Sequence, residues 1–396
     1  MLCGYFAALG GASAVIIDKN ARPGRKMMIS GKGRCNLTNN CDVRRFMESV
    51  TRNASFLYSA LNFLPPSRIM ELLESSGLPL KTERGNRVFP QSDKAVDVVD
   101  AVFSLAKGAG CEYRNAEVRS VLTENGRAVG VETDGGIVRA DAVVIATGGA
   151  SYTRTGSTGD GFGFARALGH TVIPLRPSLV PLVTAGNTAK RLMGLSLKNV
   201  AVTLTDAESG KKLFDDFGEM LFTHFGLSGP VILSASAHMK EGMRCVLSVD
   251  LKPALTAEEL SKRILRDFSA NPNRDFVNSL DDLLPKKMIP VIVDISGIDP
   301  RKKVNSVTRE ERDRLAKLLK SLEFTVTGTR PIEEAIVTSG GVSVKEINPK
   351  TMESKLVGGL YFAGEVIDVD ALTGGYNMHI AMATGSLAGD SIGRDC

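Results

Sequence analysis

The chain is predicted to be an α/β protein in which a parallel-sheet domain is interrupted in sequence by an inserted second domain. Three observations predict this. Leu360 to Ala363 form a short apolar strand that ends at Gly364 and leads, through a polar loop, into the paired-glycine turn Thr373-Gly374-Gly375-Tyr376-Asn377 and an Ala/Met/Ile-rich helix. Near the other end, Ala14 to Ile17 form a β-branched strand closed by Asp18-Lys19. Between them, three prolines in Pro174 to Pro181 mark a boundary, after which the pattern changes until about Arg330.

The elements follow in order. Leu2 to Gly10 is predicted helical, ahead of the 14–17 strand. A strand ending in an acid is typical of the second half of a dinucleotide-binding βαβ unit, where the carboxylate holds a ribose hydroxyl and a Gly-x-Gly-x-x-Gly turn lies about 20 residues earlier. Counting back from Asp18 runs past Met1, so that first strand and phosphate turn are expected to be missing. Pro23 to Asn40 is rich in Gly, Ser and Asn and is expected to be a loop, with basic pairs at Arg25-Lys26 and at Lys32 and Arg34. Pro65-Pro66 opens a helix through Ile69, Leu72 and Leu73, and Ser92 is expected to cap a helix over Asp93 to Ala106. A meander follows over 117–122, 128–133 and 137–140. Ala142 to Ala146 reads as a buried parallel strand ending in Thr147-Gly148-Gly149. Gly156 to Gly161 precedes a helix through Leu168, and two readings stay open: an anion at the helix N-terminus, or a turn capped by Asp160. The expected domains are 1–181, 182–330 and 331–396, the outer two forming one unit. In the insert, strands (200–204, 246–251) and amphipathic helices (257–268, 309–322) replace glycine-rich turns.

Composition sets limits on function. The 396 residues suffice for two or three domains, and 43% hydrophobic content is ordinary for a globular chain. No apolar run approaches the roughly 20 residues that span a bilayer, and no leader pattern opens the sequence, so a cytoplasmic protein is expected. The six cysteines include no CxxC pair, which argues against a disulfide framework and against a zinc or iron–sulfur centre; no metal is expected. A net charge of +5, with Lys and Arg dispersed among acids, favours anionic ligands without requiring nucleic acid.

The chemistry points to a flavin. A helix opening on unpaired N–H groups presents a positive dipole end, suited to the electron-rich edge of a reduced flavin ring. Gly364, lacking Cβ, lets a cofactor approach the backbone. The stretches ARPGRKMMISGKGRCNLTNN (21–40), GGASYTRTGSTGDGFGFARALGH (148–170), FTHFGLSGP (222–230) and GLYFAGEVIDVDALTGGYN (359–377) closely resemble the BaiN-like flavoproteins, which overlap the aminoacetone oxidase grouping. The resemblance implies a discontinuous FAD domain of the glutathione-reductase type interrupted by a small β-barrel with a helical part. It also implies FAD as cofactor and NAD(P)H as donor or oxygen as acceptor. By position it puts Asp18 on the adenosine ribose with Lys19 beside it. Arg25, Lys26 and the Ser30-Gly31 turn follow the pyrophosphate and reach toward the flavin, Val118 faces the adenine with its backbone, and Thr147 and Gly148 close over the adenosine half. Gly364, Glu365 and the Gly375-Tyr376-Asn377 turn hold the ribityl chain and isoalloxazine. From the residues alone, Arg34 and Asn36 are further candidates for cofactor contact. Asp18 stands where the family usually has glutamate, a change either carboxylate can accommodate.

No Ser/His/Asp or paired-carboxylate arrangement can be assembled, so no catalytic residue is assigned. Cys35 reads as a packed thiol rather than a redox partner, and His224 and His379 as structural rather than catalytic. The expected activity is oxidoreduction of a small or mid-sized organic substrate, as reduction of an activated C=C bond or oxidation of an amine. The rivals are a flavoenzyme acting on RNA and a cofactor-free binding protein.

Overall fold

A computed structural model describes every residue except Glu241 and Cys396, so the sixth cysteine lies outside the described residues. The chain divides into two compact units, one made of Met1–Ser178 with Pro331–Cys396 and the other of Leu179–Arg330. The first boundary falls at Ser178/Leu179 rather than at 181/182. Leu179 and Val180 are already buried, Val180 N–H donates to Ser236 Oγ (2.9 Å), and Arg330 N–H donates to the Pro181 carbonyl (3.0 Å).

The first unit is Rossmann-type in its parallel pairs. Val15–Asp18 runs parallel to Glu112–Asn115, and Val143–Ile145 runs parallel to Leu360–Phe362, strands more than 200 residues apart in sequence. The two pairs are not hydrogen-bonded to each other. Helix Leu2–Leu9 precedes the first, and the long helix Tyr376–Arg394 follows the second. These two helices meet so closely that a Cβ on Gly389 would overlap the Cys3 carbonyl. The meander is antiparallel as expected, Val118–Glu124, Arg127–Thr133 and Gly136–Arg139.

Two local expectations are corrected. Residues 23–40 are not an open loop: Arg25–Ile29 is a helical turn, Ser30–Gly33 a 3-10 turn and Thr38–Asn39 a strand on Arg87–Pro90. The local composition concealed this, because Gly24 takes a left-handed φ of 75° and lies against Val99, a long-range contact to the helix Ala95–Gly108. Ser92 is not a cap. Its helix runs Ala95–Gly108 behind Lys94, while Ser92 Oγ donates to Asp97 (2.5 Å) and Asp93 turns the chain at φ 58°.

The second unit is a closed six-stranded antiparallel barrel in the order Leu182–Thr184, Gly226–Ser228, Lys212–Phe222, Ser196–Asp206, Cys245–Asp250, Leu322–Thr329. Alternation fills it: Val200, Val202 and Leu204 point inward with Met220, Phe222, Leu247, Val249 and Phe324. Beside it pack helices Ala257–Ala270 and Arg309–Lys320, each opened by a capping box (Thr256/Glu259, Thr308/Glu311). No helix among the described residues is long and apolar enough to cross a membrane.

Candidate functional site

Parallel strands of an open α/β sheet carry their ligands at the carboxyl ends. In the first unit those ends are Asp18, Asn115, Ile145 and Phe362, and the loops leaving them gather most of the candidate residues.

At the end of the 143–145 strand, Thr147 is exposed and Gly148 takes φ 77°. The adjoining Ala150 N–H donates to Thr338 Oγ1 (2.8 Å). At the end of the neighbouring strand, Gly364 takes φ 77°, its N–H donating to Thr384 Oγ1 (2.9 Å), and Glu365 follows. Glu365 is the hub: its Oε2 accepts from Lys26 Nζ (2.5 Å), and its Oε1 accepts from Thr338 N–H (2.7 Å) and Ser151 Oγ (3.3 Å). Lys26 Nζ donates also to Ser151 Oγ (2.9 Å). A Cβ on Gly149 would stand 2.6 Å from Glu365 Oε1, so the glycine pair is what admits the carboxylate. Ser151 and Thr338 were missed by sequence reasoning. Their one signal is position beside Gly148-Gly149 and ahead of Gly340-Gly341.

At the first strand, Asp18 Oδ1 accepts from Asn20 N–H and Nδ2 (both 2.9 Å), and no described residue donates to its Oδ2. Asn20 in turn receives Arg25 Nη1 on its Oδ1 (3.0 Å). Lys19 pairs with Asp160 (2.5 Å) and donates to Thr158 Oγ1 (2.5 Å). The capping reading of Asp160 therefore fails: its carboxylate is held by Lys19 and Thr158 Oγ1, and Gly159 precedes the helix without any side-chain cap. Val118 opens the meander opposite Thr133.

The Ser30–Asn36 segment is backbone-strained. Gly31, Lys32, Gly33 and Cys35 all take positive φ, including the two non-glycines at 60° and 57°. At the two non-glycines, Lys32 and Cys35, such conformations cost on the order of 1 kcal/mol each and persist where function or dense packing holds them. Here, Cys35 N–H donates to the Ser30 carbonyl (3.0 Å) and Ser30 Oγ to Met27 O (2.7 Å). Asn36 lies across the chain's two ends, its amide oxygen accepting from Gly375 N–H (3.0 Å) and its nitrogen donating to Thr38 O (3.1 Å). Arg34 stands apart from this gathering: its guanidinium pairs with Glu83 and with Asp93 (2.6 Å) and lies 4.1 Å over the Phe89 ring. Cys35 is fully buried and its thiol is pushed up to about 11 by burial, so it stays protonated at neutral pH.

At the paired-glycine turn, Gly375 (φ 99°) precedes the helix with no side-chain cap, and the N–H groups of Tyr376, Asn377 and Met378 find no acceptor among the described residues. The Asn377 amide ties the loop down, accepting from Ala371 N–H (2.9 Å) and donating to Ala371 O (2.7 Å). Tyr376 packs its ring edge against Phe46, centroids 4.9 Å apart. His379 is a buried strut, Nδ1 on Thr38 Oγ1 (2.9 Å) and Nε2 on Leu64 O (2.9 Å). His224 belongs to the barrel, exposed at the turn before Gly226–Ser228.

Burial pushes the His379 imidazole down to about 4. It is neutral in the folded chain and takes a proton near pH 6.5 once unfolded. Its contribution to stability is thus complete above about pH 6.5 and is lost as pH falls toward 4, by on the order of 3 kcal/mol. Urea midpoints measured from pH 7.5 to 4.5 should fall more steeply for the native chain than for His379→Leu; equal slopes would refute this account.

An open carboxylate oxygen on Asp18, glycines with positive φ at both strand ends, and three donors at an uncapped helix N-terminus fit a dinucleotide laid along the strand ends with its electron-rich ring at that helix. Fold and site together define a Rossmann-type FAD-dependent oxidoreductase. The chain belongs to the family described as HI0933-like protein Rossmann domain, whose model matches residues 1–391, and the resemblance to BaiN-like flavoproteins holds. It is 30% identical over 385 residues to a 3-dehydro-bile acid delta(4,6)-reductase of Clostridium scindens, covering 96% of this chain and 92% of that protein. It is also 30% identical over 388 residues to a ribosomal RNA dihydrouridine synthase of Escherichia coli, covering 97% and 93%. Among solved structures, E. coli quinol fumarate reductase FrdA shares the fold, with a TM-score of 0.50, 17% identity, and 99% of this chain and 68% of that one covered.

Proposed function

We propose that this protein reduces a carbon–carbon double bond conjugated to a carbonyl, with FAD held along the strand ends and NAD(P)H as the transient donor. The observation that carries the reading is the Glu365 hub, which joins Lys26, Ser151 and Thr338 beside the two glycine turns. Bound there, the flavin supplies a hydride acceptor and donor. Asp18 takes a ribose hydroxyl through its open oxygen, with Lys19 alongside. Arg25 and the Ser30-Gly31 turn carry the pyrophosphate's charge while Lys26, held by Glu365, reaches on toward the ring, Val118 meets the adenine, and Thr147 and Gly148 cover the adenosine half. Gly364, Glu365 and the Gly375-Tyr376-Asn377 backbone receive the ring, Asn36 acts by pinning that turn, and Arg34 holds its loop through Glu83 and Asp93. The Lys26 ammonium places positive charge where the reduced ring would gain negative charge.

The relatives' names support the bond being reduced: a delta(4,6)-reductase acts on an unsaturated ring ketone by name, and dihydrouridine is uridine whose ring C=C has been saturated. A small organic substrate is the primary reading; an RNA base is the second, favoured by the name of the ribosomal RNA dihydrouridine synthase at 30% identity. The test is an absorbance spectrum with FAD, followed by anaerobic NADH or NADPH and then, still without oxygen, a steroid enone or a uridine-rich ribosomal RNA fragment; a separate sample of the oxidised flavoprotein receives a primary amine without oxygen. A flavin band that bleaches and is restored by the enone or the RNA supports the proposal and separates its two substrates. Bleaching by the amine with no response to NAD(P)H and the enone or RNA, or no flavin bound, would end it.

A further inference from the structure

The second unit holds a cleft of about 230 Å³ between the barrel and the segment ahead of helix Ile289–Ser296. Its floor is apolar, made by Leu197, Leu284, Pro285 and Met288, and its wall includes Lys198 and Lys252. Lys198 arrives there through a β-bulge: Leu197 pairs with Met220 and Val200 with Gly218, so Lys198 and Asn199 together face Glu219 alone. A bulge re-aims side chains and recurs next to functional sites. Lys252 is half-buried, and burial, with Arg263 nearby, lowers its affinity for a proton. Neither ammonium, nor that of Lys286 beside the floor, has an ion pair or hydrogen bond among the described residues, although most lysines and arginines around them are paired. A half-buried cation without a counter-charge is costly, and the cost is relieved when an anion enters. The whole inserted unit carries 23 Lys and Arg against 19 Asp and Glu, so it also holds most of the chain's net +5.

We propose that this cleft binds a phosphate ester, its oxygens on Lys198 and Lys252 and its attached ring on the Leu284-Pro285-Met288 floor. Two unpaired cations on one cleft wall, with Lys286 next in sequence to the floor residue Pro285, suit an oxyanion with several acceptors. The volume admits one phosphate with part of one ring and not a dinucleotide, so this site is separate from the flavin's and does not rest on the reading of the flavin site. The phosphate comes either from a free mononucleotide or from the backbone of an RNA.

The experiment uses the full chain saturated with FAD, so that the strand-end site is filled, and two probes: uridine monophosphate by calorimetry, and a fluorescein-labelled uridine decamer RNA by anisotropy between 50 and 200 mM salt. The Lys198→Ala/Lys252→Ala variant should lose at least tenfold in affinity for whichever probe binds. With RNA it should also lower the slope of log affinity against log salt by about 0.7 to 1, the share of the one phosphate contact removed. The Lys198→Arg/Lys252→Arg variant should retain binding. Binding of the mononucleotide identifies a free phosphate ester as the source; binding of the decamer alone identifies RNA. Should the alanine pair fail to fold, the exposed Lys286→Glu substitution carries the same test with a smaller loss. No binding of either probe, or binding unchanged in the variants, overturns the proposal.

Discussion

Replacing Gly375 by alanine will unseat helix Tyr376–Arg394 and, with it, the proposed flavin site, so that flavin retention is lost. A Cβ there would stand 2.5 Å from the Thr38 carbonyl carbon and 2.8 Å from the Asn36 side-chain amide, and the residue sits at φ 99°, which an L side chain rarely adopts. The neighbours cannot yield. Thr38 is tied to His379, and Asn36 accepts from the Gly375 N–H itself. Strain and overlap together should cost about 3 kcal/mol or more. Calorimetry should show the transition of the first unit moved down while that of the barrel unit stays in place. Unaltered melting and an unaltered flavin band at equal FAD would show that the turn is more plastic than this geometry allows.

The Glu365 hub should show the second large effect, and in a way that separates charge from packing. Glu365→Leu leaves the Lys26 ammonium, 26% exposed, without its carboxylate and orphans the Thr338 N–H, a loss of about 2–4 kcal/mol. Lys26→Met leaves the carboxylate with two remaining donors and should cost less. The Lys26→Met/Glu365→Leu pair should recover part of the loss, because neither charge is then stranded. A double-mutant cycle on urea midpoints measures the coupling, and strictly additive costs would mean that the two side chains do not stabilise each other. Flavin affinity read on the same proteins adds a separate test of the site: if the pair folds yet retains FAD as tightly as the native chain, neither residue contributes to holding it.

Much of this was legible along the chain because it is local. A β-branched run closed by Asp18-Lys19, the apolar 360–363 strand and its glycine turn, the meander's alternation and the amphipathic helices of the insert all rest on periodicity within a few residues. Motif resemblance then supplied the class of cofactor. Errors arose where local signals competed with distant ones. Gly, Ser and Asn in 23–40 read as a loop, yet Val99 and the 87–90 strand fold it into turns and an edge. Ser92 and Asp160 have the chemistry of caps, but Asp97 in the first case and Lys19 in the second offered better partners.

The sequence by itself determined the kinds of elements, their order, the insertion between about 181 and 330, and the two glycine turns beside the strand ends. Only the tertiary structure decided which charges meet. Lys26 finds Glu365 across 339 positions and Thr38 finds His379 across 341, while Arg34, as basic as Lys26, is committed to Glu83 and Asp93. The reason is physical: propensity and periodicity act over one or two turns of chain, whereas the partner of a charge is set by which strand ends the sheet brings together, a property no short window of residues contains.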